Sequence, residues 1–385
     1  MSRTVFRGGD VVLPDRLATR HALIVEADRV VGIVAGEPPG AAGDRVVDVS
    51  ECVVAPGFVD VHVHGVAGHD VLDGAGAVER VSGILPRFGV TAWCPTSVAC
   101  SAASLEVFLA EVARLRPAAG PRARVIGAHL ESCFLNHDFR GAQPAEWLRT
   151  PAAGREVLAV MDRHREAVAM VTLAPEIEGG QALLGELVRK GIRVSLGHSG
   201  ATWEEAEAAF EGGAARITHL FNRMPPMTHR KPGLVGAALA REAVAVELIG
   251  DGWHIHPAIM RTVWAAKGAA RVVAVTDGTA GSGLPRGSVA TLGGRPVRVD
   301  DVARLDDGTV AGSVATMEQV FARWANEVGV GVVDAALMCA TSPAADVGRA
   351  DLGRLVPGAQ ADCVVLDRHL RVRETWIAGA CVYQK

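Results

Sequence analysis

Short apolar runs recur along the middle of the chain, and each closes on polar residues. They fall at Phe58–His64, Thr91–Ser97, Val125–Ser132, Met170–Glu176, Arg193–Ser199, Arg216–Asn222, Val244–Trp253 and Val272–Asp277. Each is strand-sized and apolar over most of its length, as a parallel strand covered on both faces must be. Between most of them lie segments with helical spacing, such as Thr202 to Phe210 and Ile259 to Gly268. Eight such units over about 230 residues match the size of a (β/α)8 barrel. A doubly wound sheet would alternate in the same way, so the positions of the polar residues decide between the two.

The two ends of the chain read differently. Val11–Leu13, Ala22–Val25 and Arg29–Val34 are short strand-like runs broken by turn residues, the last ending at a Gly/Pro loop from Gly36 to Gly43. Ala361–Asp367 follows Pro357-Gly358, and Val372–Ile377 leads to a turn at Ala378-Gly379. This pattern predicts one small sheet domain assembled from residues 1–55 and 346–385, around a barrel domain at 56–345.

The polar residues fall at the strand ends. In order they are His62 and His64, then Glu131, His198, His219, His254 and Asp277. In a barrel, the C-terminal strand ends converge on one rim, so residues far apart in the chain share one site. Imidazoles and carboxylates are ligands suited to divalent zinc or iron. Period-two geometry points His62 and His64 to the same side of a strand. A second such pair, His254-Ile255-His256, shows that the spacing alone is a weak signal; its repetition at successive strand ends carries the argument. Glu131 closes an apolar run and needs a partner or a metal there. Asp277 has a second reading, as a cap for the segment that follows. His21, His69, His137, His164 and His369 lie away from strand ends and read as surface or helix-face histidines.

Composition narrows the function classes. With 385 residues, 49% apolar and 21% charged, the chain buries a sizeable core and is not a disordered segment. Lys and Arg number 39 against 43 Asp and Glu, without runs of like charge, which argues against nucleic acid and anionic membrane as partners. Tyr383 is the single tyrosine, so stacking platforms for bases are scarce. No apolar stretch is long enough to span a bilayer, and Met1–Arg7 lacks the apolar core of a secretion signal. The seven cysteines are odd in number and contain no C-x-x-C pair, so neither a disulfide framework nor a thiolate zinc site is expected. A cytoplasmic enzyme is the expectation.

Several stretches stand out in order along nearly the whole chain: 55–65 (Ala-Pro-Gly-Phe-Val-Asp-Val-His-Val-His-Gly), Gly127–Glu131, Leu173–Glu176, Leu196–Ser199, Thr218–Asn222, Arg230–Leu234, Asp251–His254, Val275–Asp277, Gly312-Ser313 and Ala359–Asp362. Together they resemble the N-acetylglucosamine-6-phosphate deacetylase family of the amidohydrolase superfamily. The resemblance implies a barrel carrying the site and a small β-sandwich made from both termini. It implies a divalent metal, zinc first, with iron, cobalt or manganese as alternatives. Glu131, His198 and His219 would hold the main ion, and His62 and His64 would offer a second site bridged by Glu131. Asp277 would move the proton and His254 would assist at the acetyl oxygen. The fourth run ends at Glu176 without a Lys, which disfavours the lysine-bridged members of the superfamily.

The implied reaction is deacetylation of an N-acetyl amino-sugar phosphate, foremost N-acetylglucosamine 6-phosphate. The alternatives are the galacto epimer, an unphosphorylated or otherwise modified sugar, or a non-catalytic binding protein on the same scaffold. Arg230 stands at the family's phosphate-binding arginine position, which implies a homodimer in which it reaches a neighbour's site. Asn222 matches the loop that holds sugar and phosphate. Three departures from the family pattern stand out: Ser132-Cys133 replaces Gly-Pro after Glu131, Gln143 stands where a His is usual, and Arg223 stands where a small residue is usual. Ser132, Gln143 and Arg223 are therefore taken as candidate substrate contacts, with Arg140 a further source of positive charge and Cys133 a packing residue or a pocket thiol.

Overall fold

The computed structural model describes residues 3–36, 38 and 43–385. Eight parallel strands form its centre: β1 (Phe58–Val63), β2 (Val90–Ser97), β3 (Ala128–Glu131), β4 (Val168–Leu173), β5 (Arg193–Leu196), β6 (Arg216–Ile217), β7 (Ala245–Ile249) and β8 (Val272–Val275). Each pairs in parallel with the next from β1 to β8. The ring is brought nearly to closure just beyond β8. There Gly278 bridges Val63 in parallel, and its carbonyl accepts from the amides of His64 and Gly65 at 2.8 and 3.0 Å. This is a (β/α)8 barrel, and the doubly wound alternative falls.

A helix follows each strand on the outer face, at Ala77–Ile84, Ala102–Leu115, Arg155–Arg163, Gly180–Arg189, Trp203–Glu211, Gly233–Ala240, Pro257–Lys267 and Met317–Ala322. Side-chain caps start several of them. Thr202 and Glu205 form a capping box, the Thr hydroxyl accepting from the Glu205 amide at 3.3 Å and the Glu carboxylate from the Thr202 amide at 2.8 Å. His256 accepts from the Ala258 amide at 3.2 Å, ahead of Pro257 at the first helical position. The second of the two histidine pairs therefore splits: His256 caps a helix while His254 faces the cavity described below.

The chain ends build two further sheets. One runs 380–384, 372–377, 363–366, 53–56, 10–12 and 17–18; the other runs 29–35, 21–26, 3–7 and 45–48. They share a core in which the rings of Phe6 and Trp376 meet edge to face with centroids 4.9 Å apart. Between β8 and the last outer helix, the chain adds a three-stranded antiparallel sheet, Val289–Leu292, Arg295–Val299 and Ala303–Arg304. The strand reading of the sequence assigned nothing there.

The apolar runs locate every barrel strand but overrun most of them. Arg216–Asn222 shrinks to two residues of strand, because His219 and Phe221 take positive φ of 29° and 77° and turn the chain off the barrel axis. His198 and Asp277 do the same after β5 and β8, at 48° and 49°. Such backbone is strained for residues with a Cβ. It recurs at the rim where side chains must point inward.

Candidate metal centre and active site

His62 and His64 leave β1 on its lumen side, as period two requires, and both are buried. Glu131 closes β3, while His198, His219 and Asp277 sit just beyond β5, β6 and β8. The barrel brings all six to one place. Glu131 Oε1 lies 2.8 Å from His198 Nε2 and 2.9 Å from His219 Nε2, and Oε2 lies 3.5 Å from His64 Nε2. Asp277 Oδ1 is 3.3 Å from His62 Nε2 and 3.2 Å from His64 Nε2.

The far nitrogens of His62, His64 and His198 fix which tautomer each of these rings takes. His64 Nδ1 is 2.9 Å from the Thr96 carbonyl, and His198 Nδ1 is 2.9 Å from the Phe139 carbonyl. A carbonyl can only accept, so each Nδ1 carries a hydrogen and each neutral ring turns the lone pair of Nε2 toward the centre. His62 Nδ1 donates in the same way to Glu247 Oε2 at 3.0 Å. Yet His62 and His64 approach Nε2 to Nε2 at 3.2 Å, and His198 and His219 at 3.1 Å. Ring nitrogens packed this closely suit a shared cation.

Electrostatics agree. Burial would raise the carboxyl of Glu131, but His198 and His219 beside it hold it well below the usual range. Burial disfavours charge on His62, yet Asp277 and Glu247 lift its pKa to about 10, a measure of how strongly the site attracts positive charge. Burial likewise opposes ionisation of Asp277, which His62 and His64 nevertheless hold below the ordinary carboxylate value. Glu131, His198 and His219 offer one ligand set, and His62, His64 and Glu131 a second. A divalent cation suits both. A third grouping, His62, His129 and Glu247, is structural: His129 is kept neutral by burial and then by the charge of His62, with its Nε2 2.7 Å from the Thr172 hydroxyl.

A cavity of about 590 Å³ opens above these residues. Gln143, Asn222, Arg223 and His254 line it, together with five of the six residues at the metal ligand cluster, His62 being sealed beneath. His254 donates through Nδ1 to Asp251 Oδ2 at 2.6 Å. Burial opposes charge on this imidazole, but the Asp251 hydrogen bond and charge raise its pKa above the ordinary histidine value.

One sequence-based expectation needs correction, and one of two open readings is settled. Ser132 does not face the cavity: its hydroxyl donates to the Thr172 carbonyl at 2.6 Å and accepts from the Phe134 amide at 3.1 Å. The cause is strand alternation, since Glu131 points into the lumen and the next side chain must point away. Cys133 is buried in the hydrophobic core, where desolvation pushes its thiol up to about 12. It is a packing residue and no pocket thiol. Arg230 is exposed on the loop after β6 and does not line the cavity of its own chain. Arg140 bonds the His137 carbonyl at 3.1 Å and lies outside the lining as well.

This geometry has counterparts among known proteins. The amidohydrolase family pattern matches residues 53–382. The chain belongs to the amidohydrolase family. An N-acetylglucosamine-6-phosphate deacetylase of Danio rerio is 39% identical over 357 residues, covering 89% of this chain and 87% of that protein. An N-acetylgalactosamine-6-phosphate deacetylase of Escherichia coli O157:H7 is 35% identical over 330 residues, covering 85% and 87%. In three dimensions, an N-acetyl-D-glucosamine-6-phosphate deacetylase mutant of Mycobacterium smegmatis, in complex with N-acetyl-D-glucosamine-6-phosphate, matches with a TM-score of 0.92 and 33% identity. All of both chains is covered, 100% of each. The family resemblance drawn from the sequence motifs is borne out.

This amidohydrolase also carries support residues that the sequence reading missed. Glu247 is fully buried in β7; besides His62 it accepts from the His219 amide at 3.1 Å and from Arg216 Nε at 3.1 Å. Arg216, equally buried, ion-pairs with Asp346 on its other side. Burial opposes ionisation of Glu247, and the Arg216 and His62 charges hold its pKa far below the ordinary value. The signal was a lone acid inside Ala-Val-Glu-Leu-Ile. Its partner on β6 becomes visible only once the strands are set side by side.

Proposed function

We propose that this amidohydrolase removes the acetyl group from an N-acetyl amino-sugar phosphate, converting N-acetylglucosamine 6-phosphate and water to glucosamine 6-phosphate and acetate. The observation that carries the proposal is the meeting of Glu131, His198 and His219 with Asp277 on the floor of one cavity. The named activities of the relatives support the substrate class.

Glu131, His198 and His219 would hold the main divalent ion, with His62 and His64 available to a second beside Glu131. Zinc is the proposed metal, for its affinity for imidazole and carboxylate. When bound, such an ion supplies Lewis acidity and lowers the pKa of water towards about 7. Asp277, ionised and lining the cavity, takes the proton from the attacking water and delivers it to the leaving nitrogen. That second transfer is required because an amide anion is too poor a leaving group. His254, held protonated by Asp251, donates to the acetyl oxygen as it gains charge; one such donor is typically worth about 3–4 kcal/mol.

Asn222 and Arg223 would orient the sugar. Arg230, exposed on its loop, would serve the cavity of a second copy in a homodimer. The seven cysteines are all free, in keeping with a cytoplasmic enzyme. The deciding experiment compares acetate release from N-acetylglucosamine 6-phosphate, its galacto epimer and unphosphorylated N-acetylglucosamine by zinc-loaded protein. Turnover of the gluco phosphate above the other two is expected. Preference for the epimer, related to the activity named for the Escherichia coli relative, would reassign the sugar. Absence of acetate from all three would overturn the proposal.

A further inference from the structure

Two arginines stand at the mouth of the cavity, Arg223 after β6 and Arg304 in the added three-stranded sheet. Both are exposed while lining it. They meet on one strand pair. Arg304 bridges Val310 in antiparallel register across the turn closed by Leu305 and Thr309, and the Val310 carbonyl accepts from Arg223 Nη2 at 3.4 Å. Arg304 Nη1 donates to the Gly308 carbonyl at 3.2 Å.

Among the described residues no carboxylate lies within 4.0 Å of either guanidinium, and their bonds go to neutral carbonyls. The acids lining the cavity are Glu131 and Asp277 at the metal ligands and Asp138, which is exposed beside His137 at 4.0 Å. The placement of Arg223 is also specified. Its backbone takes a left-handed φ of 57°, fixed by a hydrogen bond from the Ser199 amide to its carbonyl at 3.2 Å. Its side chain crosses Gly141 so closely that a Cβ there would lie 2.3 Å from Nε. Its charge reaches His254 within the cavity, where it counts against protonation.

Two like charges brought to one rim without a counter-ion repel each other, and an anion between them offsets that cost. Guanidinium forks suit the tetrahedral oxygens of a phosphate. We propose that Arg223 and Arg304 form a phosphate grip within a single chain, holding the anionic end of the sugar while its acetamide faces Asp277 and His254. The proposal rests on the deacetylase reading above and adds to it a second, intrachain source of phosphate recognition in Arg304.

The test measures kcat/KM for N-acetylglucosamine 6-phosphate and for N-acetylglucosamine in the wild type, Arg223→Met, Arg304→Met, Arg304→Lys and Arg230→Met. Metal content and circular dichroism of each variant report whether the fold is kept. In both Arg223→Met and Arg304→Met, the preference for the phosphorylated sugar should fall at least tenfold, through KM, with Arg304→Lys recovering part of it. Inorganic phosphate should weaken as a competitive inhibitor by a similar factor. Unchanged preference in both Met variants, or equal slowing on both sugars, overturns the grip. If the wild type shows no preference for the phosphate, the phosphorylated substrate falls and the grip with it. If the preference exists and Arg230→Met alone removes it, only the grip falls.

Discussion

Gln143 donates its amide to Oε2 of Glu131, and its own oxygen accepts from the Ala99 amide at 2.8 Å. That pair of bonds fixes how the carboxylate is turned, leaving Oε1 toward His198 and His219. The sequence pattern suggested a sugar contact at this position, and Gln143 does line the cavity, but the partner it touches is the ligand carboxylate. Partners of this kind typically contribute 10- to 100-fold to metal affinity. Gln143→Leu should weaken the first ion by about that factor in competition with a chelator. Unchanged affinity together with a raised KM would make Gln143 a substrate contact instead.

Asp277 contacts His62 and His64 but is not needed to complete the Glu131–His198–His219 set. Asp277→Asn keeps the shape of the side chain and removes its ability to carry a proton. The variant should retain its metal content by elemental analysis and lose about 10³-fold or more in kcat, since a proton-transfer group typically contributes 10²–10⁴. Loss of metal along with activity would show that Asp277 acts as a ligand.

The barrel was legible because burial on both faces writes each parallel strand as an apolar run, and because the ligands stand at the ends of those runs. What lay beyond reach depended on pairing across strands. Glu247 and Arg216 explain each other only when β6 lies against β7. Ser132 was misplaced because a motif position was read without the alternation that turns its side chain from Glu131. The sheet carrying Arg304 escaped because its strands mix buried with exposed residues, as in Arg295–Val299, and offer no apolar run. Of the proposed grip, Arg223 was legible as a departure from the family pattern, whereas Arg304 on that sheet was not.

Glu247 is the acid between buried Arg216 and His62. Glu247→Gln would leave Arg216 with Asp346 as its remaining anion and leave His62 without its charged anchor. Breaking a buried pair from one side typically costs about 3–5 kcal/mol. The urea unfolding midpoint should therefore fall by an amount equivalent to about 3 kcal/mol. An unchanged midpoint would mean that Asp346 alone satisfies Arg216.

His254 and Asp251 set the response to pH. Asp251 raises the folded pKa of His254 above its unfolded value of 6.5 against the opposing effect of burial. For a raised histidine, the stabilisation is fully present below pH 6.5 and is lost as the pH climbs through the folded value. The same titration removes the proton that His254 donates to the acetyl oxygen, so kcat/KM should decline on its alkaline side over that range. Asp251→Asn keeps an oxygen able to accept from the amides of Trp253 and His254, which now lie 2.9 Å from Oδ1, but removes the charge. The alkaline limb of the pH–rate profile should then move to lower pH, and the stability difference from the wild type should shrink as the pH rises through the folded His254 value. A limb that stays in place would show that another group controls it.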